Sequence, residues 1–142
     1  MKRLNIKMYN EIIPNLYLGN RLSTTIADKL NIDHIISIGS KNKSIGISNT
    51  HIGLRDDNTL DITKELNQVT TLMDELLKKN KKILIHCRAG MNRSPSFVLA
   101  YMCKYKNMDY ENCMEFILTK RKSCRFSFKE NVKKWLENTV LT

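Results

Sequence analysis

One cysteine in this chain stands where it could do chemistry. Cys87 closes the apolar run "KILIH" and opens the loop "CRAGMNRS", with Arg93 six residues on and Ser94 beside it. A buried strand that feeds a tight loop at a helix N-terminus builds an anion site. The N–H groups of the loop and first helical turn have no partner inside the helix, and the helix dipole adds favourable potential. Gly90 lets the backbone turn and approach an oxyanion closely. Arg93 adds a planar, permanently charged fork that can grip two phosphate oxygens. The donors that hold a tetrahedral oxyanion also stabilise a thiolate over a thiol, so Cys87 is expected to be a nucleophile facing a bound phosphorus. Arg88, Ala89, Gly90, Met91, Asn92 and Arg93 then form the phosphate-binding loop. A structural thiol would account for a lone cysteine at a strand end, but not for this combination of cysteine, glycine, arginine and serine at a helix start.

Displacement at phosphorus leaves an oxygen that needs a proton. The candidates are Asp56 and Asp57 in the polar loop "RDDNTLD". Solvated loop acids are the plain alternative. Arg88, Met91 and Asn92 are read as variable loop positions. Arg55, Lys41, Lys43, Arg121, Lys122 and Arg125 are candidates to rim the site with positive charge.

These side chains need elements to position them. "EIIPNLYLGN" reads as short extended segments around Pro14, and Ser23 as the cap of a short helix through Leu30. "HIISI" (His34 to Ile38), "THIGL" (Thr50 to Leu54) and "KILIH" (Lys82 to His86) read as strands. From Ile62 to Lys79 the apolar residues recur at helical spacing. Pro95 suits the first position of the next helix with Ser94 as its cap. Asp109 caps a helix through about Lys120, and Ser127 with Glu130 forms a capping box for a last helix through about Val140. Strands alternating with helices, then a helical C-terminal half, give an α/β fold with a small, mostly parallel central sheet flanked by helices. The 142 residues fit a single domain, 1–142, with no repeat or linker.

Composition narrows the partners. Lys and Arg number 24 against 14 acidic residues, a net charge of +10 that favours an anionic partner: nucleic acid, an anionic membrane surface or a phosphorylated substrate. No RRM, KH or zinc motif is present, and 7% aromatic content gives few stacking platforms, so nucleic acid is not the expected partner. No apolar run is long enough to span a membrane, so no membrane insertion is expected. The basic N-terminus "MKRLNIKMYNEII" lacks the apolar stretch of a signal peptide. The four cysteines show no zinc spacing, and Cys103 and Cys113 fall within helical patterns as core thiols. A reducing, cytoplasmic setting follows.

"HCRAGMNRS" resembles the signature of cysteine-dependent protein tyrosine phosphatases, in particular the dual-specificity branch. "IIPNLYLGN", "LRDDNTLDI" and "SPSFVLAYMCKYKNMDYENC" resemble that branch's N-terminal strand, acid loop and post-signature helices. The shared "YLGN", "DD-x-T-x-DI" and "AGxNRS" patterns are similar to small poxvirus-type enzymes, here without a long segment before "IIPNLYLGN". The resemblance implies a phosphorylated protein substrate and two-step hydrolysis with no metal and no cofactor. It implies that Asp56, 31 residues before Cys87, is the acid and then the base, with Asp57 as the alternative. It implies that the Ser94 hydroxyl donates to the cysteine sulfur, and that His86 orders the loop. Alternative readings use the same loop on RNA 5′ ends or phosphoinositides, or only to bind phosphate. Cys124 is a candidate partner for an oxidised Cys87. A viral source, acting in host cytosol or packaged in a virion, fits the likeness. Oligomeric state stays open.

Overall fold

The structure is a computed structural model and describes residues 7–140. The expectation for the N-terminal stretch falls in part on residues 1–6, outside the described residues. Strands β1 (Tyr9–Ile13), β2 (Leu16–Gly19), β3 (His34–Ile38), β4 (Ser48–Ile52) and β5 (Ile83–His86) form one sheet in the order β1-β2-β5-β3-β4. Only the β1–β2 hairpin is antiparallel; β2–β5, β3–β5 and β3–β4 run parallel. Helices α1 (Thr63–Lys78), α2 (Arg93–Tyr105), α3 (Tyr110–Lys120) and α4 (Lys129–Val140) complete the expected α/β architecture.

The two-residue period of a strand sorts the sheet's side chains. Leu16, Leu18, Ile36, Ile38, Ile83 and Ile85 enter the large core beneath the helices. Tyr17, Ile35 and Leu84 face the opposite side, into a smaller cluster with Ala27 and Ile32. Both faces are covered, so β5 is buried at every position and reads as a continuous apolar run rather than an alternation. Helix α2 is buried from Ser94 through Met102, because it lies between the sheet and the other helices.

Register decides where the site forms. Gly19 of β2 and Ser37 of β3 both pair with His86 of the central β5. The parallel strands therefore end together, and the chain leaves the middle of the sheet at Cys87, between two neighbours. Loops at the carboxyl ends of parallel strands are where this architecture binds ligands.

Several local expectations differ from the structure. The segment after β2 is a 3-10 helix, Arg21–Ile26, capped by Asn20, whose side chain accepts from the Ser23 N–H. Ser23 lies inside that turn, and its own hydroxyl donates to the Asn20 carbonyl. Strand β4 begins two residues before the expected Thr50 and ends at Ile52. Helix α2 starts at Arg93, so Ser94 is its second residue and Pro95 its third. Proline is accommodated there because N–H groups of the first turn have no helical acceptor to lose. Asp109 caps α3 as expected, accepting from the Asn112 N–H at 3.1 Å. Ser127 lies two residues ahead of α4, and its hydroxyl is engaged elsewhere, as described below.

Candidate active site

The loop from Cys87 to Asn92 has all its carbonyl oxygens turned outward to partners. Cys87 O lies 3.3 Å from His86 Nδ1. The Arg88 carbonyl accepts from the Arg21 N–H at 3.0 Å. The Arg121 guanidinium donates to Gly90 O at 2.9 Å and to Ala89 O at 3.4 Å. Met91 O accepts from the Arg125 N–H at 2.6 Å and the Phe126 N–H at 3.3 Å. Asn92 O accepts from the Ser96 hydroxyl at 3.0 Å. With the carbonyls held from outside, the peptide N–H groups face the inside of the loop. A concavity of such donors at the start of α2 is the kind of arrangement that binds an anion.

Gly90 sits at φ +68, and a Cβ there would lie 2.6 Å from Gly19 O and 2.8 Å from Arg121 Nη2. Neither the backbone conformation nor the space admits a side chain, so the glycine is what lets the loop close against β2.

Arg121 is a correction. It does not rim the site: it is 2% exposed and lies under the loop. Its other donors reach Lys7 O and Asn10 Oδ1, both at 2.9 Å, so it ties the loop to the segment entering β1. Among the described residues no carboxylate pairs with it, and burial lowers its pKa from the ordinary arginine range. Lys41 and Arg55, by contrast, join His51 and Arg93 along one shallow cavity.

The cysteine lies at the floor of the cradle. Cys87 is 2% exposed, and Ser94 Oγ donates to its sulfur at 3.2 Å. This fits the implied serine contact and explains why Ser94 is not the helix cap. The Arg93 guanidinium is fixed on one side, where Nη1 donates to Gly39 O at 3.1 Å and Leu54 O at 2.9 Å. Its Nε–H is buried and has no hydrogen-bond partner among the described residues. A fork braced through Nη1, with a buried unpaired Nε–H, can take an oxyanion from its other edge.

His86 is buried, with Nε2 2.7 Å from the Ser37 hydroxyl. Burial pushes its pKa down to about 4, so the ring is neutral at neutral pH. Its two ring nitrogens meet the Ser37 hydroxyl and the Cys87 carbonyl, and the neutral ring adds no positive charge. Cys124 shares the hydrophobic core with Cys87, and burial pushes its thiol up to about 12. All four cysteines are free.

The two loop acids separate clearly. Asp57 is folded back on its own turn, accepting from the Thr59 N–H at 3.0 Å and the Thr59 hydroxyl at 2.6 Å, which holds its carboxyl below the usual range. Asp56 faces the phosphate loop instead. Its Oδ2 accepts from Asn92 Nδ2 at 2.9 Å, and its Oδ1 accepts from the Ser127 hydroxyl at 2.8 Å. Sequence reading missed Ser127, Gly39 and the Leu54 carbonyl as parts of the site, and placed Asn92 in the phosphate-binding loop without its contact to Asp56. Their partners lie 36 to 71 residues away along the chain. Among the described residues, no group of three or more His, Cys, Asp or Glu side chains is gathered as a metal ion would require.

Known proteins share sequence and fold with this chain over most of its length. Residues 16–138 match the family described as dual specificity phosphatase, catalytic domain. The vaccinia virus dual specificity protein phosphatase OPG106 is 31% identical over 124 residues, covering 82% of this chain and 72% of that protein. The tyrosine-phosphatase relative 123R of Invertebrate iridescent virus 6 is 32% identical over 111 residues, 78% of each chain. Human dual specificity protein phosphatase 5 is 27% identical, but the match spans only 30% of its length. Among solved structures, human DUSP28 superposes with a TM-score of 0.86 at 15% identity, covering 94% of this chain and 96% of that one. DUSP15 does so with a TM-score of 0.82 at 25% identity, covering 89% and 86%. With the match running from β2 into α4, the chain belongs to the dual specificity phosphatase catalytic-domain family.

Proposed function

We propose that this protein phosphatase hydrolyses phosphotyrosine and phosphoserine/threonine in protein substrates through a phosphocysteine formed on Cys87. In the first step the Cys87 thiolate attacks phosphorus, the S–P bond forms and the P–O bond to the side chain breaks. The Asp56 carboxyl gives its proton to the departing oxygen. In the second step Asp56, now a carboxylate, takes a proton from water as its oxygen attacks phosphorus. The S–P bond breaks, phosphate leaves, and the returning thiolate is met by the Ser94 hydroxyl. The loop N–H groups and Arg93 stabilise the equatorial oxygens through both transition states.

The observation that carries this reading is the loop from Cys87 to Asn92, every carbonyl of which is taken up by a partner, beside a buried Cys87 sulfur that accepts from the Ser94 hydroxyl. The reaction needs no metal in this scheme. Purified protein should hydrolyse para-nitrophenyl phosphate and phosphopeptides in EDTA, with inhibition by orthovanadate. Cys87→Ser should abolish turnover while keeping phosphopeptide binding. Folded wild-type protein that binds phosphopeptide without turning it over would overturn the reading. Faster turnover of a phosphoinositide or an RNA 5′ end than of any phosphopeptide would overturn the protein-substrate part alone.

No helix among the described residues is long and apolar enough to cross a membrane. We place the protein in the cytosol, that of the host if its source is viral, a setting that suits four free thiols. Fractionation of producing cells with an antibody to the chain tests this.

A further inference from the structure

Asp56 is exposed, so burial does not fix its side chain. What holds it is a pair of donors from two other parts of the fold. Asn92 Nδ2 reaches Oδ2 at 2.9 Å from within the phosphate loop, and Ser127 Oγ reaches Oδ1 at 2.8 Å from the turn before α4. We propose that Asn92 and Ser127 are positioning residues that hold the candidate acid at the mouth of the phosphate loop, aimed at the leaving oxygen, an inference that rests on Asp56 being that acid.

Both donors are themselves anchored. Asn92 is one residue from Arg93, and its carbonyl is tied down by Ser96. The residue that aims the acid therefore belongs to the loop that would hold the phosphate, which registers proton donor and phosphorus to one frame. Ser127 lies between two buried phenylalanines. Phe126 sits at φ +53 and 4% exposure, a left-handed conformation costly for a bulky residue, and its N–H donates to the phosphate loop at Met91 O. Phe128 is fully buried, and its N–H donates to Ser96 Oγ at 3.2 Å. Between these two anchored residues the Ser127 hydroxyl reaches Asp56.

The rest of the acid loop is pinned as well. Arg93 holds Leu54 O, and Asn131 Nδ2 donates to Leu60 O at 3.0 Å and Asn58 O at 3.3 Å. The loop is thus tied on both sides of Asp56 and at Asp56 itself. Each carboxyl oxygen accepts one hydrogen bond and keeps a second lone-pair direction for the transferred proton. The tether orients the group without occupying its reactive position. Asp57, one residue on, is held by Thr59 and lacks such a frame.

The test is the dependence of kcat/KM on the acidity of the leaving group, measured with full-length protein across aryl and alkyl phosphates. An enzyme that protonates its leaving group shows a shallow dependence, and one that does not shows a steep one. Asp56→Asn sets the steep limit. Asn92→Ala and Ser127→Ala are expected to steepen the slope toward it, lowering turnover of the least acidic leaving group by about tenfold or more relative to para-nitrophenyl phosphate. Ser127→Thr, which keeps the hydroxyl, is expected to restore the wild-type slope. Unfolded enzyme in a sample lowers every rate by the same factor and leaves the slope alone, so poor folding cannot imitate the result. A steep Asp56→Asn beside wild-type slopes in Asn92→Ala and Ser127→Ala would overturn the tether while keeping the acid. A shallow Asp56→Asn would overturn the acid assignment and the tether with it.

Discussion

Ser94→Ala should divide the two chemical steps. The Ser94 hydroxyl is fully buried, and its hydrogen bond goes to the Cys87 sulfur at 3.2 Å. Cys87 is itself 2% exposed, so water cannot easily replace the lost donor. A hydrogen bond to a charged partner contributes about 1.5–3 kcal/mol, which corresponds to roughly 10- to 150-fold in rate if it is made only in one transition state. The sulfur gains negative charge when it leaves phosphorus in the second step, so the loss falls mainly there. In the first step the thiolate is consumed, and weakening its ground-state solvation costs little or even speeds attack. The variant should therefore accumulate phosphocysteine. Rapid mixing with para-nitrophenyl phosphate should release about one equivalent of nitrophenol in a burst, followed by a slow steady state. Acid quench and mass spectrometry should find one phosphoryl group on the peptide that contains Cys87. The substitution removes a single oxygen from a position whose backbone is helical, so the melting temperature should change little. A steady-state rate equal to wild type, with no burst, would refute the argument that this hydroxyl assists thiolate departure.

Three further outcomes follow from the geometry. His86 titrates at about 4 in the fold against 6.5 for an unperturbed histidine, so between those values the unfolded chain binds more protons than the folded one. Stability contributed by the neutral ring is present above pH 6.5 and falls as pH drops through that window, by about 3 kcal/mol at its end; urea unfolding at several pH values should show part of this acid sensitivity disappear in His86→Gln. Gly39→Ala places a Cβ against Leu54 O and the Arg93 guanidinium at a residue with φ +61, so it should cost about 1–2 kcal/mol in backbone strain and weaken orthovanadate inhibition as Arg93 shifts. Arg93→Lys keeps the charge but cannot both brace Gly39 O and Leu54 O and present an Nε–H, so kcat/KM on phosphopeptides should fall by about 10²–10³-fold with little change in thermal melting.

Sequence alone determined much of this protein because the decisive signals are local. The run of Ile83, Leu84 and Ile85 ends at His86 and Cys87, and Gly90, Arg93 and Pro95 follow at the spacing of a strand, an anion-binding turn and a helix start. These effects act within a few residues, where backbone sterics and unpaired N–H groups rule. The same holds for α1, whose apolar period is clear, and for the Asp109 cap. Hydroxyl partners were decided otherwise. Ser23, Ser94 and Ser127 each have the local credentials of a cap, but a hydroxyl bonds to whichever partner the fold brings within about 3 Å. For Ser94 that partner is a sulfur seven residues back, and for Ser127 a carboxylate 71 residues away. Arg121 reads as a surface charge because nothing in its neighbourhood along the chain calls for burial. It is buried because α3 ends beneath the phosphate loop, whose outward carbonyls supply the acceptors that a buried guanidinium requires. The surroundings of Asp56 and Asp57 are of the same kind: adjacent residues of one type differ in what the fold sets opposite each, Asn92 and Ser127 for the first and Thr59 for the second.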